Sequence, residues 1–231
     1  MNLKPLIACL CFVVLVCGCK EQRPKEAWEK REQVYTDHPP EHWLELIQHR
    51  NPQVRAQAAD RLIDGGADNV PELAKILQEK TGRTRLSVAR CLGDIGPKAV
   101  DAVPALCLVL KDTAWAQRDV AAEAIGRIHG NPDKSIPALL EALKTDEESR
   151  VRGKSAEALA RFKSGNPKIV SALAAALEDQ DDEVRAYAAD ALGSIGPAAK
   201  SAVEALEKAA KAEQFNVSMA AQEALKQVCG E

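Results

Sequence analysis

Residues 184–197 read VRAYAADALGSIGP, and residues 84–97 read TRLSVARCLGDIGP, so the chain writes nearly the same segment twice. Weaker copies surround three further arginines, which are Arg55, Arg118 and Arg152. Arg85 and Arg118 are 33 residues apart, and so are Arg152 and Arg185. A fixed period of this length is typical of a stacked solenoid, in which each unit buries its apolar face only against its neighbours.

Each copy of the pattern predicts two helices, A and B. Counted from the repeated arginine as position 0, apolar residues fall at −1, +3, +4, +7 and +10, which is one broad helical stripe. We expect Gly96-Pro97 and Gly196-Pro197 to end their A helices, the glycine as a left-handed cap and the proline as a stop. Helix B follows with a leucine at a fixed place: Leu73, Leu106, Leu139, Leu173 and Leu206. The sequence therefore predicts an all-α solenoid with an opening B-type helix, five A–B pairs and a final A-type helix at 215–228.

The run Val-Arg-x-x-Ala-Ala-x-x-Leu-Gly-x-Ile-Gly-Pro, followed by Val-Pro-x-Leu, resembles HEAT repeats, in particular the short class named after phycobilin lyases. The resemblance covers about residues 40–229 and implies a right-handed α-solenoid of stacked HEAT-type helix pairs. The last copy departs from the pattern, with Ser218 in place of arginine and Lys226 in place of glycine, as is common in terminal units. The resemblance implies a scaffold or adaptor that binds other proteins. The alternative that it implies is an enzyme or chromophore-handling protein like the lyases.

Residues 1–18 have the features of an export signal. Lys4 is followed by an uncharged apolar stretch from Pro5 to Gly18, which is shorter than the roughly 20 residues of a spanning helix. The segment Val16-Cys17-Gly18-Cys19 resembles the bacterial lipobox, which implies acylation of Cys19 and cleavage before it. Cleavage elsewhere and an uncleaved short anchor are the alternatives. The lipobox implies a lipid-anchored protein of the bacterial cell envelope, in the outer membrane if the host is Gram-negative. Residues 19–39 are then a charged tether.

Composition argues against nucleic acid as a partner. The 231-residue chain has a net charge of −3 and only 3% aromatic residues, whereas nucleic-acid binding favours a basic surface and base stacking. Beyond Cys19 the cysteines are Cys91, Cys107 and Cys229. We expect Cys91 and Cys107 to be buried thiols, although a disulfide between the two helices of one repeat is the alternative.

The repeated arginines form a predicted structural ladder of five members: Arg55, Arg85, Arg118, Arg152 and Arg185. Acids stand six residues before four of them, in the turns between repeats, where a carboxylate is well placed to accept bidentate bonds from guanidinium. We therefore predict that each arginine is tied to the turn before it. Binding of an external polyanion is the alternative.

In HEAT arrays helix B lines the concave surface, so partner contacts are expected at its outward positions. The candidate binding face is Lys75, Ala105, Leu108, Ala138, Glu141, Ala175 and Lys208. The middle of this row is less charged than its ends, which suggests a modest apolar strip.

No arrangement of residues in the sequence indicates catalysis or a cofactor. The letters His38-Pro39-Pro40-Glu41-His42 match a zinc-peptidase pattern, but two prolines interrupt the helix which that chemistry requires. His129 has no evident acid or nucleophile partner, and Trp115 is interpreted as a turn-packing residue. We therefore expect no enzyme activity, no metal and no cofactor. We expect protein partners, but the sequence leaves open their identity and the oligomeric state of this protein.

Overall fold

Twelve α-helices follow one another through residues 38–163 and 165–230, which are the residues that the computed structural model describes. They are α1 (Pro40–Leu46), α2 (Pro52–Asp64), α3 (Val70–Glu79), α4 (Gly82–Ile95), α5 (Val103–Val109), α6 (Trp115–Ile128), α7 (Pro132–Thr145), α8 (Ser149–Arg161), α9 (Pro167–Ala176), α10 (Asp182–Ile195), α11 (Val203–Ala209) and α12 (Phe215–Cys229). This part of the chain contains no strand. The predicted all-α solenoid is confirmed, with its opening helix, five pairs and final helix.

The helices form two layers. The A helices α2, α4, α6, α8, α10 and α12 pack in sequence, each on the next, and the B helices α3, α5, α7 and α9 do the same beside them. Equivalent leucines of the two layers meet in the core, because the same stripe recurs in every repeat. The B-helix leucines at this position all have no exposed surface: Leu73, Leu106, Leu139, Leu173 and Leu206.

The Gly-Pro pairs end the A helices in a way that differs from the prediction. Gly96 has φ 70° and ψ −141°, and Gly196 has φ 69° and ψ −142°, so neither lies in the left-handed helical region. This backbone conformation is nevertheless open almost only to glycine. Pro97 does not stop the chain's helical path either, because it lies in a 3₁₀ helix, Gly96–Ala102, that leads directly into α5.

The predicted signal peptide, Cys19 and nearly all of the predicted tether lie outside the described residues. Of the helices that the structure describes, none is both long enough and apolar enough to cross a membrane.

Candidate functional site

Four members of the arginine ladder bind the backbone of the turn before their own helix. Nη1 of Arg152 donates to the carbonyl oxygen of Asp146, six residues earlier, over 2.9 Å. Arg55, Arg118 and Arg185 make the equivalent bond over 2.9, 2.9 and 2.7 Å. These bonds occupy carbonyl groups that no helix satisfies, so each arginine fastens a turn to the helix that follows it.

The carboxylates come from the opposite side, and in this respect the prediction was wrong. Nε and Nη2 of Arg152 donate to both carboxylate oxygens of Asp179 over 2.8 and 2.7 Å. Arg118 binds Asp146 in the same bidentate way over 2.7 and 2.8 Å. Asp179 and Asp146 lie in the turn after the arginine's repeat, whereas the prediction placed the acid in the turn before it. Each of these aspartates lies in a turn between two repeats. Its carboxylate binds the arginine of the repeat before the turn, and its backbone carbonyl binds the arginine of the repeat after the turn.

Arg85 is a variant of the same arrangement. It forms a short ion pair with Asp112, in the following turn. Its Nε donates to the carbonyl oxygen of Leu77 over 3.0 Å, eight residues earlier, instead of to the carbonyl six residues earlier.

The ladder aspartates also shape the turns in which they lie. Oδ1 of Asp179 accepts a hydrogen bond from the backbone N–H of Asp181 over 2.9 Å, and Oδ1 of Asp146 accepts one from Glu148 over 3.0 Å. Each of these aspartates thus makes three contacts. Its carboxylate accepts a hydrogen bond within the turn and binds the arginine of the preceding repeat, and its carbonyl binds the arginine that follows the turn.

The arginine–aspartate pairs of the ladder are largely buried, so their electrostatic interaction is stronger than that of exposed pairs. Arg118 and Arg152 are only 7% and 5% exposed. The hydrogen bond to Asp179 raises the pKa of Arg152 although burial opposes it, and the bond to Asp146 acts likewise on Arg118. Burial alone would raise the pKa of Asp179, but the bonds from Arg152 and from the Asp181 backbone lower it. These contacts occupy the guanidinium donors of Arg118 and Arg152, so they favour a structural role over the binding of an external polyanion.

The candidate binding face is largely exposed, with one exception. Ala105 is only 2% exposed, because α5 is packed between α3 and α7 and its short side chain is covered, so its inclusion was wrong. Ala138 is half-buried, and the remaining five residues are exposed: Lys75, Leu108, Glu141, Ala175 and Lys208. We use the term B-helix face for these six residues.

The B-helix face is not one continuous apolar strip. Leu108 is 65% exposed, which is high for a leucine, but Glu141 lies along the same row and forms an ion pair with Lys111 over 3.3 Å. Lys208 pairs across the next groove with Glu178 over 2.6 Å. The face therefore offers one apolar contact point with charged pairs beside it.

The other side chains singled out from the sequence have structural surroundings. Trp115 is 41% exposed, and the guanidinium of Arg150 lies 5.4 Å from its ring centroid. His129 is exposed, has φ 51° at the end of α6, and its ring lies 4.9 Å from that of Phe162. In the described ranges, His, Cys, Asp and Glu form no group of three or more that is able to hold a metal ion.

The cysteines within the described ranges are free thiols. Cys91 is buried, and its burial, with Asp94 and Asp60 nearby, raises its pKa to about 12. Cys107 is half-buried and its pKa is also raised by burial. Neither thiol is ionised at neutral pH, so neither is an activated nucleophile.

Two features of the surface were not predicted from the sequence. Phe215 and Met219, one helical turn apart on α12, are 78% and 48% exposed. No carboxylate among the described residues is hydrogen-bonded to Arg185, because Ala212 stands where the turns after Arg85, Arg118 and Arg152 carry an aspartate. The second feature was visible in the repeat alignment, where the residue six before Ser218 breaks the acidic series.

The HEAT-repeat family model matches residues 40–126, 70–160, 103–182 and 170–231, which together cover most of the sequence. This chain belongs to the HEAT-repeat family. No curated protein matches it.

Solved structures share the fold at low sequence identity. An engineered protein is 26% identical with a TM-score of 0.58, and the match covers 83% of this chain and 96% of that one. A designed armadillo repeat protein in complex with the peptide (KR)4 is 21% identical with a TM-score of 0.57, over 82% and 98% of the two chains. The CpcE–CpcF complex of phycocyanin lyase from Nostoc sp. is 20% identical with a TM-score of 0.55, over 83% and 77%.

Proposed function

We propose that this protein is a lipid-anchored scaffold or adaptor of the bacterial cell envelope, which binds protein partners through its B-helix face. The HEAT-repeat solenoid is a fold typical of protein-interaction scaffolds, and repeat arrays use the surface of stacked helices for binding. The observation that carries the proposal is Leu108, a leucine 65% exposed on that surface. Burial of this exposed apolar side chain against a partner would favour binding through the hydrophobic effect.

The alternative role as an enzyme or chromophore-handling protein rests on the resemblance of the repeat motif to phycobilin-lyase-type HEAT repeats and on the likeness to the solved phycocyanin lyase. That likeness, at 20% identity, concerns the fold. Function on a shared fold depends on the site, and the titratable side chains in the described ranges form no acid–base or nucleophilic arrangement.

Site-specific crosslinking tests the binding face. A photo-crosslinking amino acid at position 108 should capture a discrete partner in envelope membranes of the native host. The same residue at Ser194, which is exposed on the A helix α10, should not. Leu108→Glu should weaken the capture without lowering the melting temperature, because charge would be desolvated on binding without a matched partner. Capture from position 194 and none from position 108 would place the binding surface on the A helices.

Ser194→Glu is the control for the introduced charge, because it adds a glutamate at an exposed position of an A helix. Glu123, on the A helix α6, is less suitable for a charge change. Glu123 is only 32% exposed at its side chain and forms an ion pair with Arg127 over 3.0 Å. Reversal of its charge would disturb the A-helix layer itself, whereas Ser194 has an exposed side chain.

The lipid anchor is tested separately. Cys19→Ser should abolish incorporation of labelled palmitate and release the protein from membranes. If the unchanged protein incorporated no labelled palmitate, the lipid anchor would be contradicted, but the proposed binding face would not be affected.

A further inference from the structure

Three arginines of the ladder bind a carboxylate of this chain at equivalent positions of their repeats. Arg85, Arg118 and Arg152 each bind the carboxylate of an aspartate in the following turn. Two of these pairs are bidentate, through Nε and Nη2 of the arginine. This planar pairing is the arrangement in which guanidinium binds a carboxylate best.

Arg185 has the same position but lacks the internal carboxylate. Its Nη1 donates to the carbonyl oxygen of Asp179 over 2.7 Å, as in the other repeats. Six residues before Ser218, where Asp146 and Asp179 stand in their turns, the chain carries Ala212. Among the residues that the structure describes, none accepts a hydrogen bond from Nε or Nη2 of Arg185.

The other terminal arginine is different. Nε of Arg55 donates to Oγ of Ser87 over 3.2 Å, and its Nη1 binds two backbone carbonyls over 2.9 Å each. Nε of Arg55 is therefore occupied by a side chain of the chain itself, whereas Nε of Arg185 has no acceptor among the described residues.

A pocket of about 410 Å³ opens beside Arg185, between the ends of α9 and α11. Leu177, Ala205, Ala209 and Val217 give it apolar walls, and Ala212 lines it where an aspartate would fill it. The pocket at the equivalent place in the third repeat has a volume of about 330 Å³ and contains the Arg118–Asp146 pair.

The charges around the pocket favour a ligand with a single negative charge. Lys208 and Glu178 neutralise each other across the rim over 2.6 Å. Asp179 also lines the pocket, although its carboxylate is held by Arg152. A doubly charged phosphate would meet two carboxylates and only the Nε and Nη2 donors of one guanidinium, whereas a carboxylate with an aliphatic stem matches both these two donors and the apolar walls.

We propose that this pocket binds a carboxylate of the protein partner, either an aspartate or glutamate side chain or a C-terminal carboxylate, in the place that Asp146 and Asp179 take in the other repeats. The proposal rests on the proposed function, because it names the chemistry of the partner at the end of the solenoid where Lys208 of the B-helix face lies.

The test is an NMR titration of the full chain with propionate, which mimics a glutamate side chain. The Nε–Hε resonance of Arg185 is assigned by its loss in Arg185→Lys. Propionate should shift this resonance and leave that of Arg152 unmoved, with an affinity in the millimolar range because so small a ligand binds weakly. Phosphate at equal ionic strength should shift it less. An equal response to phosphate would overturn the proposal, as would the absence of a propionate response in both the unchanged chain and the Glu213→Gln variant.

Ala212→Asp supplies the absent carboxylate within the chain. This variant should move the Arg185 resonance toward that of Arg152, raise the melting temperature and weaken propionate binding by at least about tenfold. Ala212→Asn is the matched control, which has the same shape without the charge. Unchanged propionate binding in Ala212→Asp would contradict the assignment of the site.

Two further arms identify the source of the carboxylate and an internal competitor. A tripeptide with an internal glutamate and blocked ends is compared with trialanine that has a free C-terminus, and the tighter of the two gives the source. Glu213, the neighbour of Ala212, is changed to glutamine so that it cannot pair with Arg185. No response of Arg185 to any carboxylate in Glu213→Gln would also overturn the proposal. Failure to capture a partner from position 108 would instead contradict the B-helix face, so the two proposals can fail separately.

Discussion

Gly126 of α6 packs directly against Ala158 of α8, so closely that a Cβ atom at Gly126 would lie 2.9 Å from the Cα of Ala158. The same relationship joins Gly93 to Ala124 and Gly193 to Ala224, at 3.0 Å in each case. The glycine that follows the repeated leucine or isoleucine of each of these A helices therefore sets how closely consecutive A helices approach. This gives a physical reason for a glycine inside a helix, where it would otherwise cost about 1 kcal/mol relative to alanine.

Gly126→Ala should destabilise the protein relative to Gly153→Ala. Both changes add the same helix propensity, but the new methyl group at position 126 meets backbone, whereas at position 153 it meets the ring of Tyr187, which is 37% exposed and can move. Overpacking against a fixed backbone costs about 1–3 kcal/mol. Urea unfolding of the two variants measures the difference, and equal stabilities would show that the A helices separate without cost.

Arg152→Ala should cost about 3–5 kcal/mol of the free energy of unfolding, because it leaves the partly buried carboxylate of Asp179 without its partner. Arg161→Ala, on the same helix, is the control. Its ion pair with Glu157 is 48% exposed at the arginine, and pairs of this kind contribute about 0–1 kcal/mol. Chemical denaturation distinguishes the two. Similar losses from both variants would mean that the ladder arginines contribute no more than surface charges.

The stability supplied by Asp179 should depend on pH. Its folded-state pKa is lowered, since the bonds from Arg152 and the Asp181 backbone outweigh the effect of burial. Such a group stabilises the fold above its unfolded pKa of about 3.9 and loses that contribution as the pH falls through the folded pKa. Asp179→Asn should therefore be destabilising at pH 7 and nearly neutral in strong acid. Thermal melts across this range test it, and a pH-independent difference would contradict the assignment.

Asp190 should behave in the opposite way. Burial raises its pKa, and within the described residues no cationic side chain forms an ion pair with it to oppose that effect. The folded state therefore loses stability as the pH rises from the unfolded pKa through the folded one. Asp190→Asn should raise the melting temperature at pH 7 and leave it unchanged in strong acid. A gain that persisted in strong acid would have to come from packing.

The helices were predictable because their signal is periodic. Leu106 and Leu173 belong to a stripe that recurs in each repeat, and only a stacked solenoid buries the same stripe in every unit. The partners of the ladder were harder to assign. Asp146 lies six residues before Arg152 and 28 residues after Arg118, and its spacing along the chain favours the nearer arginine. The structure shows that its carboxylate binds Arg118. The direction of a side chain in a turn depends on how the next repeat stacks, which local spacing does not contain.

The binding face shows the same limit. Leu108 was correctly placed at an outward position of α5, since it is 65% exposed. Ala105, three residues earlier, is buried, because the width of the exposed stripe depends on how closely α3 and α7 flank α5. A helical wheel gives direction around one helix but not the distance to its neighbours.

Gln117 occupies a place where the repeat pattern calls for an apolar residue, and this departure predicts a stabilising substitution. The residue before the repeated arginine is valine in three other copies, Val54, Val151 and Val184. Gln117 is only 6% exposed, and its Oε1 is buried with no hydrogen-bond partner within the described residues. A buried acceptor left unpaired costs about 1–3 kcal/mol.

Gln117→Val removes that acceptor and restores the repeated residue, so it should raise the free energy of unfolding by about 0.5–2 kcal/mol, the range usual for substitutions toward a consensus. Val151→Gln is the reciprocal control, since Val151 has no exposed surface, and it should destabilise the protein. Urea denaturation of both variants provides the measurement. A loss of stability in Gln117→Val would show that the amide makes a contact in solution that offsets its burial, and that this repeat departs from the pattern for a reason of its own.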